Sequence, residues 1–413
     1  MNRNSCLLLI LCLIVIQIIT VFTVCSPMKN SSSAEAQVIN MVEELGRKIS
    51  QAQWRKNPND NVVLSPLSIA IILNLLILGT NGSSNVELKN ALNYSSDLQE
   101  EAIHEVFKGI LVSLPDSKGV KISLNTRLFP REGSQIQESY KNVSKNYYFT
   151  EIQSLDFQKS PALAKEAINS WVSDSTQGKI VESFSGPLRP DTVLVACSVL
   201  FLSAAWENKF NSNLTKNGTF NTGRRNITIP MMTSDMNIPY FRDDKSSFEI
   251  VALPYEDKSY SMYILKPMDS TGISKLIQIE NSLNSTYLDS LISQMENQRI
   301  LVTIPRMKLN QKLDLEMDLK TLGIKQIFSR NLANLVNLSD KQKLFLTKIF
   351  HKAFLEITED GTSGAVVTTN VISPTSLPER FILDKPSLLF VRDNENGLIH
   401  FWAKVIRPEP LTT

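Results

Sequence analysis

The chain has 413 residues, 42% of them hydrophobic, enough for a sizeable core in one large domain or in two or three smaller ones. Its 43 Lys+Arg nearly balance its 41 Asp+Glu, and no long like-charge run occurs. That balance argues against a nucleic-acid footprint or a polybasic membrane patch, so no nucleic acid is expected as a partner.

Residues 1–25 predict a secretory signal peptide. Arg3 supplies a positive start, Cys6 to Val24 is an apolar run, and Thr23 and Cys25 suit a cleavage site that makes Ser26 the mature start. The run approaches the roughly 20 residues that span a bilayer, so a signal anchor is the alternative. The lack of a basic cluster after it favours cleavage. The expectation is a secreted, extracellular protein with no membrane association once the leader is gone. Cys6, Cys12 and Cys25 leave with it, so Cys197 stands alone and no internal disulfide can form. Cys197 lies inside TVLVACSVLFL and reads as a buried, inert thiol rather than a reactive one. Export also gives meaning to the Asn-x-Ser/Thr sequons at Asn30, Asn81, Asn93, Asn142, Asn213, Asn217, Asn226, Asn284 and Asn337, all candidates for glycosylation.

Residues 26–33 are a polar lead-in. Ser32 and Glu35 then have capping-box spacing, and Val38, Met41, Val42, Leu45 and Ile49 share one helical face. In NVVLSPLSIAIILNLLILGTNG, Ser65 is an N-cap, Pro66 fits the first turn and Gly79 ends the helix. That helix is apolar nearly all round, which predicts burial inside the protein, and it is too short to cross a membrane. LAKEAINSWV reads as a helix, and TVLVACSVLFL as a strand covered on both faces. SFEIVALPY and SYSMYILKP predict a hairpin around EDK. RILVTIPRMKL reads as one strand, and DLEMDLKTLGI as a helix ending at Gly323. KIFHKAFLEI, FILD, SLLFVRD and GLIHFWAKVI read as strands, the last two joined by NEN. Helices early and strands late, without βαβ alternation, predict an α+β domain spanning residues 34–410 with no interdomain linker.

Catalytic chemistry finds no foothold. The three histidines, His104, His351 and His400, lie in no metal-ligand spacing, and CxxC pairs are absent, so neither a metal nor another cofactor is expected. No GxSxG, Walker A or GxGxxG motif occurs. His351, between Phe350 and Phe354, reads as a hydrogen-bonded core histidine rather than a catalytic base.

One stretch is unlike the rest. Gly361 to Pro378, GTSGAVVTTNVISPTSLP, holds no charge, is rich in β-branched residues in its middle, and carries the small residues and prolines of a loop. With its flanks it resembles the serpins. NVVLSPLSIA is similar to their buried-helix signature, TQGKIVESF to the segment after the helix over the main sheet, and VLFLSAAWENKF to a central strand and its end. HKAFLEITEDGTSG resembles the strand leading into the reactive loop, and FILDKPSLLFVRD with FWAKVIRP the C-terminal signature. The likeness runs from about residue 34 to Pro408.

The resemblance implies helices around a large mixed sheet with smaller sheets, and an exposed reactive-centre loop at about 359–380. It implies a protease inhibitor rather than an enzyme: a serine protease attacks the loop, which then enters the main sheet as a new strand and traps the acyl-enzyme. Registered on the family, the attacked bond follows Thr375 and precedes Ser376. The hinge is Glu359, Gly361, Thr362, Ser363, Gly364, Ala365, Val366 and Val367, with Thr362, Gly364, Val366 and Thr368 facing the core once inserted. Ser65, Ser68, Ser198 and His351 would form the region that closes the sheet. Ser198 replaces a usual Asn, Ser387 a usual Phe, Ala403 a usual Gly, and Gly364 a common Ala. Thr375 suits an extracellular elastase-like protease, Leu377 a chymotrypsin-like one, and Arg380 lies too far on to favour a trypsin-like one. The alternatives are a non-inhibitory serpin (carrier, chaperone or storage protein) and a secreted hydrolase. A monomer is the default.

Overall fold

In the computed structural model, residues 33–114, 120–180, 184–269, 272–362 and 378–411 are described. The chain opens with α1 (Ser33–Lys56), whose stripe Val38, Met41, Val42, Leu45 and Ile49 is buried, as its spacing predicts. β1 (Val62–Leu64) leads to α2 (Pro66–Gly79), capped by Ser65, whose side chain accepts from Ser68 N. Every residue of α2 except Leu78 is buried, so a helix with no polar face sits at the centre of the molecule.

There follow α3 (Gly82–Ala91), α4 (Glu100–Ser113), β2 (Val120–Pro130), α5 (Glu138–Tyr148), β3 (Glu151–Ile152), α6 (Pro161–Ser175) and β4 (Leu194–Ala205). Then come β5 (Lys216–Asn221), β6 (Asn226–Asp243), β7 (Phe248–Pro254), β8 (Tyr260–Pro267), α7 (Ile273–Ser282), α8 (Ser285–Ser293), β9 (Glu296–Pro305), β10 (Met307–Asp314) and α9 (Glu316–Thr321). The chain finishes through β11 (Lys348–Ile357), β12 (Gly361–Thr362), β13 (Glu379–Ile382), β14 (Ser387–Asp393), β15 (Ile399–Val405) and β16 (Glu409–Pro410).

Two mixed sheets organise these strands. One runs β16-β10-β11-β4-β2-β3, with β12 also paired to β4; the other runs β1-β15-β14-β8-β7-β6-β9-β13, with β5 on β6. The predicted hairpin is β7–β8, and the predicted last pair is β14–β15. RILVTIPRMKL is not one strand. It breaks at Arg306 into β9, antiparallel to β6, and β10, antiparallel to β11 in the other sheet. Each half carries enough apolar residues to satisfy a strand pattern, so the crossing between sheets leaves no trace in the periodicity.

β4 positions the site. Val195, Cys197, Val199 and Phe201 pack beneath Ile168, Trp171 and Val172 of α6, while Leu200, Leu202 and Ala204 face the second core. Apolar cover on both sides explains the unbroken hydrophobic run. Among the described residues no helix is long and apolar enough to cross a membrane.

Candidate site at the seam and hinge of the seven-stranded sheet

β4 and β11 run parallel, with Ser198 opposite His351. His351 is fully buried and links three elements. Its Nε2 accepts from Ser65 N at 2.8 Å, and its Nδ1 lies 2.9 Å from Ser198 Oγ. Because Nε2 accepts, the single ring proton sits on Nδ1 and is donated to Ser198. Burial holds the imidazole neutral by pushing its pKa down to about 3. The sequence-based reading of His351 as a hydrogen-bonded core residue fits this geometry. Ser65, Ser68, Ser198 and His351 thus gather in one buried cluster above the start of α2. The cluster is incompletely satisfied: Ser68 Oγ and Thr126 Oγ1, the latter opposite Ser198 on β2, are buried without a hydrogen-bond partner.

At the far end of β11 the chain doubles back. Thr358 N and Oγ1 both donate to Gly361 O at 2.8 Å, closing a turn that places β12 antiparallel to β4, Thr362 against Ala204. Gly361 has φ +147°, and a Cβ there would lie 2.0 Å from the Ala204 carbonyl oxygen, so only glycine fits. Thr362 is completely buried and its hydroxyl lies 2.9 Å from Tyr255 OH. The Tyr255 ring stacks on Trp206 with centroids 4.8 Å apart, and Trp206 Nε1 donates to Thr358 O at 3.0 Å. Glu359 is held on three sides. Thr215 Oγ1 donates to its carboxylate at 2.7 Å, Arg306 Nε pairs with it at 3.2 Å, and Phe210 N donates to its carbonyl at 2.9 Å.

The structure therefore brings Glu359, Gly361 and Thr362 together at the mouth of the β4–β11 seam, with Thr362 pointing inward. Ser363, Gly364, Ala365, Val366, Val367, Thr368, Thr375 and Ser376 lie outside the described residues, as do the leader and Asn30. The other eight sequon asparagines are exposed. Cys197 is buried and burial pushes its thiol up to about 12, in keeping with an inert role. His104 contacts Tyr148 OH, and His400 is buried. Sequence reasoning missed Tyr255, Thr215 and Arg306, which hold the hinge from positions far along the chain. Local pattern carries no signal for such contacts.

With this geometry in place, the comparisons with known proteins are direct. A family model described as "Serpin (serine protease inhibitor)" matches residues 40–408, and the chain belongs to that family. It is 31% identical over 356 residues to intracellular coagulation inhibitor 1 of Tachypleus tridentatus, covering 84% of each chain. It is 30% identical to the leukocyte elastase inhibitor of Sus scrofa, over 85% of this chain and 94% of that one. The crystal structure of human thyroxine-binding globulin complexed with thyroxine superposes with a TM-score of 0.85 at 23% identity, covering 91% of this chain and 100% of that one. The fold is the α+β serpin fold. The family and its inhibitor relatives support an inhibitor rather than a catalytic enzyme.

Proposed function

We propose that this chain is an exported inhibitor of serine endopeptidases that acts as a suicide substrate. A protease cleaves after Thr375, ahead of Ser376. The freed loop then follows Thr362 into the seam between β4 and β11, dragging the acyl-enzyme along. Thr375 favours an elastase-like enzyme, a chymotrypsin-like enzyme comes next, and a trypsin-like one is least favoured. The inhibitor acts outside the cell as a monomer, once residues 1–25 are removed.

One observation carries the reading: β12 is already seated antiparallel to β4 at the mouth of a parallel seam. A strand continuing from Thr362 runs antiparallel to both β4 and β11. It exchanges one parallel ladder for two antiparallel ones, the geometry that is slightly more stable per residue. The net gain is about ten backbone hydrogen bonds, on the order of 5–15 kcal/mol, which matches the whole stability of an ordinary domain. Insertion is then effectively irreversible. The inward side of the strand begins with Thr362, whose hydroxyl already has a partner in Tyr255. Ser363 to Val367 carry no charge and no proline to oppose entry.

The test is incubation with elastase-like, chymotrypsin-like and trypsin-like proteases, followed by denaturing electrophoresis and sequencing of the released peptide. The expected product is a heat- and detergent-stable covalent adduct, with a new N-terminus at Ser376. Loop-cleaved protein should also melt well above the intact form. Clean cleavage without adduct and without a rise in Tm overturns inhibition and assigns the chain to the non-inhibitory members.

A further inference from the structure

The sequons at Asn217 and Asn226 lie on the two strands of one hairpin, and its register brings them onto one face. β5 and β6 pair antiparallel with Asn217 opposite Pro230, Thr219 opposite Thr228, and Asn221 opposite Asn226. Phe220 and Ile229 point into the core, so the alternate residues Asn217, Thr219, Asn221, Asn226 and Thr228 point outward, and all five are exposed. The threonines of the two sequons therefore face each other across the ladder, with the two acceptor asparagines diagonal to them. The asparagines are four residues apart along the strand direction, roughly 14 Å at ~3.4 Å per residue. The opposite face is closely filled: a Cβ at Gly218 would meet Met231 Cγ at 2.6 Å. This hairpin thus buries one side and offers amides and hydroxyls on the other, with Pro230 beside Asn217.

Other sequons present a different picture. Asn81 and Asn284 cap helices with their side-chain oxygens, and Asn337 Nδ2 donates to Thr80 O at 2.9 Å. The β5–β6 hairpin also occupies a sensitive corner. Among the described strands β5 pairs with β6 alone; on its other edge Asn221 N donates to Asp384 O at 2.7 Å, which leaves the stretch from Asn217 to Thr219 without a strand beside it. Thr215, which precedes β5, holds Glu359 of the hinge.

We propose that the outer face of this hairpin carries a pair of N-linked oligosaccharides, on Asn217 and Asn226, that guard the part of the β5 edge left unpaired, Asn217 to Thr219. An exposed strand edge offers unpaired N–H and C=O groups to any other strand. Two bulky, hydrated glycans about 14 Å apart along the hairpin, one on each strand, hinder such pairing while leaving the seam free. The inference rests on the export proposed above.

The experiment uses the full chain secreted from a eukaryotic host. Peptide N-glycosidase treatment in heavy-oxygen water, followed by peptide mapping, reads occupancy at each sequon. Labelled conversion is expected at positions 217 and 226, and Asn217→Gln and Asn226→Gln each remove one glycan increment from the intact mass. The double variant should still form the protease adduct, yet self-associate several-fold more on mild heating by size exclusion. Enzymatic deglycosylation of the folded wild type gives the same readout if the double variant fails to fold. Unmodified Asn217 and Asn226 beside occupied sequons elsewhere overturns the glycan pair and leaves export standing. No modification at any sequon, with the leader retained, overturns both. Occupied sites whose removal leaves self-association unchanged overturn the guarding role.

Discussion

Thr362 Oγ1 and Tyr255 OH lie 2.9 Å apart, fully buried, although 107 positions separate them in the chain. This contact fixes Thr362, the last described residue before position 363, on the core side of the sheet. In the proposed mechanism, it sets the inward face of the entering strand before cleavage.

Thr362→Arg should therefore turn an inhibitor into a substrate. Because Thr362 is buried before cleavage, the guanidinium unseats β12 from β4 in the intact form, and burying it on insertion without a counter-charge then costs several kcal/mol. Each ~1.4 kcal/mol added to the insertion barrier slows it tenfold, so deacylation wins. Gel densitometry should show the adduct nearly absent and loop-cleaved protein in its place. Thr362→Val, which keeps the shape and loses one hydrogen bond, should retain most of the adduct. Undiminished adduct from Thr362→Arg contradicts the inward assignment.

The seam invites the opposite change. Ser198 reaches His351 but leaves Ser68 Oγ and Thr126 Oγ1 unpaired, each a buried hydroxyl costing about 1–3 kcal/mol. An amide at this position, usual in the family, has two donors and an acceptor to offer them. Ser198→Asn should raise the Tm of the intact form by several degrees and slow adduct formation, since β4 and β11 must part for the loop to enter. Stopped-flow fluorescence of labelled loop and a thermal melt check the two effects. A lower Tm would mean that the cavity does not admit the amide.

Much of this arrangement is legible in the sequence, and the remainder is hidden for a definite reason. Ser65, Pro66 and Gly79 bracket α2 because capping and helix termination are decided by neighbours in the chain. β4 is recognisable because burial on both faces leaves an uninterrupted apolar run. Arg306 is different: its backbone leaves one sheet for the other and its side chain pairs with Glu359, yet locally it is one more residue between two strand-like runs. The hinge contacts of Thr215, Tyr255 and Arg306 arise from topology, which periodicity does not encode. The length of β6, 18 residues, escaped for a similar reason. It passes from the β5 ladder to β9 and then β7, and its exposure pattern changes with each partner.

His400 offers a test of pH dependence. It is buried against Tyr260, edge to face with ring centroids 5.2 Å apart, and neither ring nitrogen has a hydrogen-bond partner. Burial pushes its pKa down to about 3, as it does for His351. Below an unfolded value of 6.5 the unfolded chain binds protons that the native histidine does not. Stability from this term is therefore complete above about pH 6.5 and drains away as pH falls toward 3, by about 1.4 kcal/mol per pH unit. Glu43, whose pKa burial raises to about 7, acts in the opposite sense over part of that range, so the difference between variants is the useful quantity. His400→Leu should be more stable than wild type at pH 7, by about 1–3 kcal/mol from relief of the unpaired ring. That advantage should grow steadily from pH 6 to pH 4 in Tm measurements. A constant difference across that range would show that His400 gains a proton in the folded state.

The pair Glu280–Lys404 makes the final prediction. Lys404 Nζ lies 2.5 Å from Glu280 Oε2, and the two residues are 1% and 0% exposed. Ser50 Oγ donates to the other carboxylate oxygen at 2.6 Å, and the lysine lies over the Trp54 ring at 5.4 Å. The pair thus ties α1 and α7 to β15 through charges taken wholly out of water. Removing one partner strands the other: Lys404→Met should destabilise by about 3–5 kcal/mol. Lys404→Met combined with Glu280→Leu removes both charges and leaves one hydroxyl unpaired, so it should regain most of the deficit at neutral pH. Additive losses in the double variant, measured by urea unfolding at pH 7, would instead mean that each side chain stabilises through packing and that their mutual attraction contributes little.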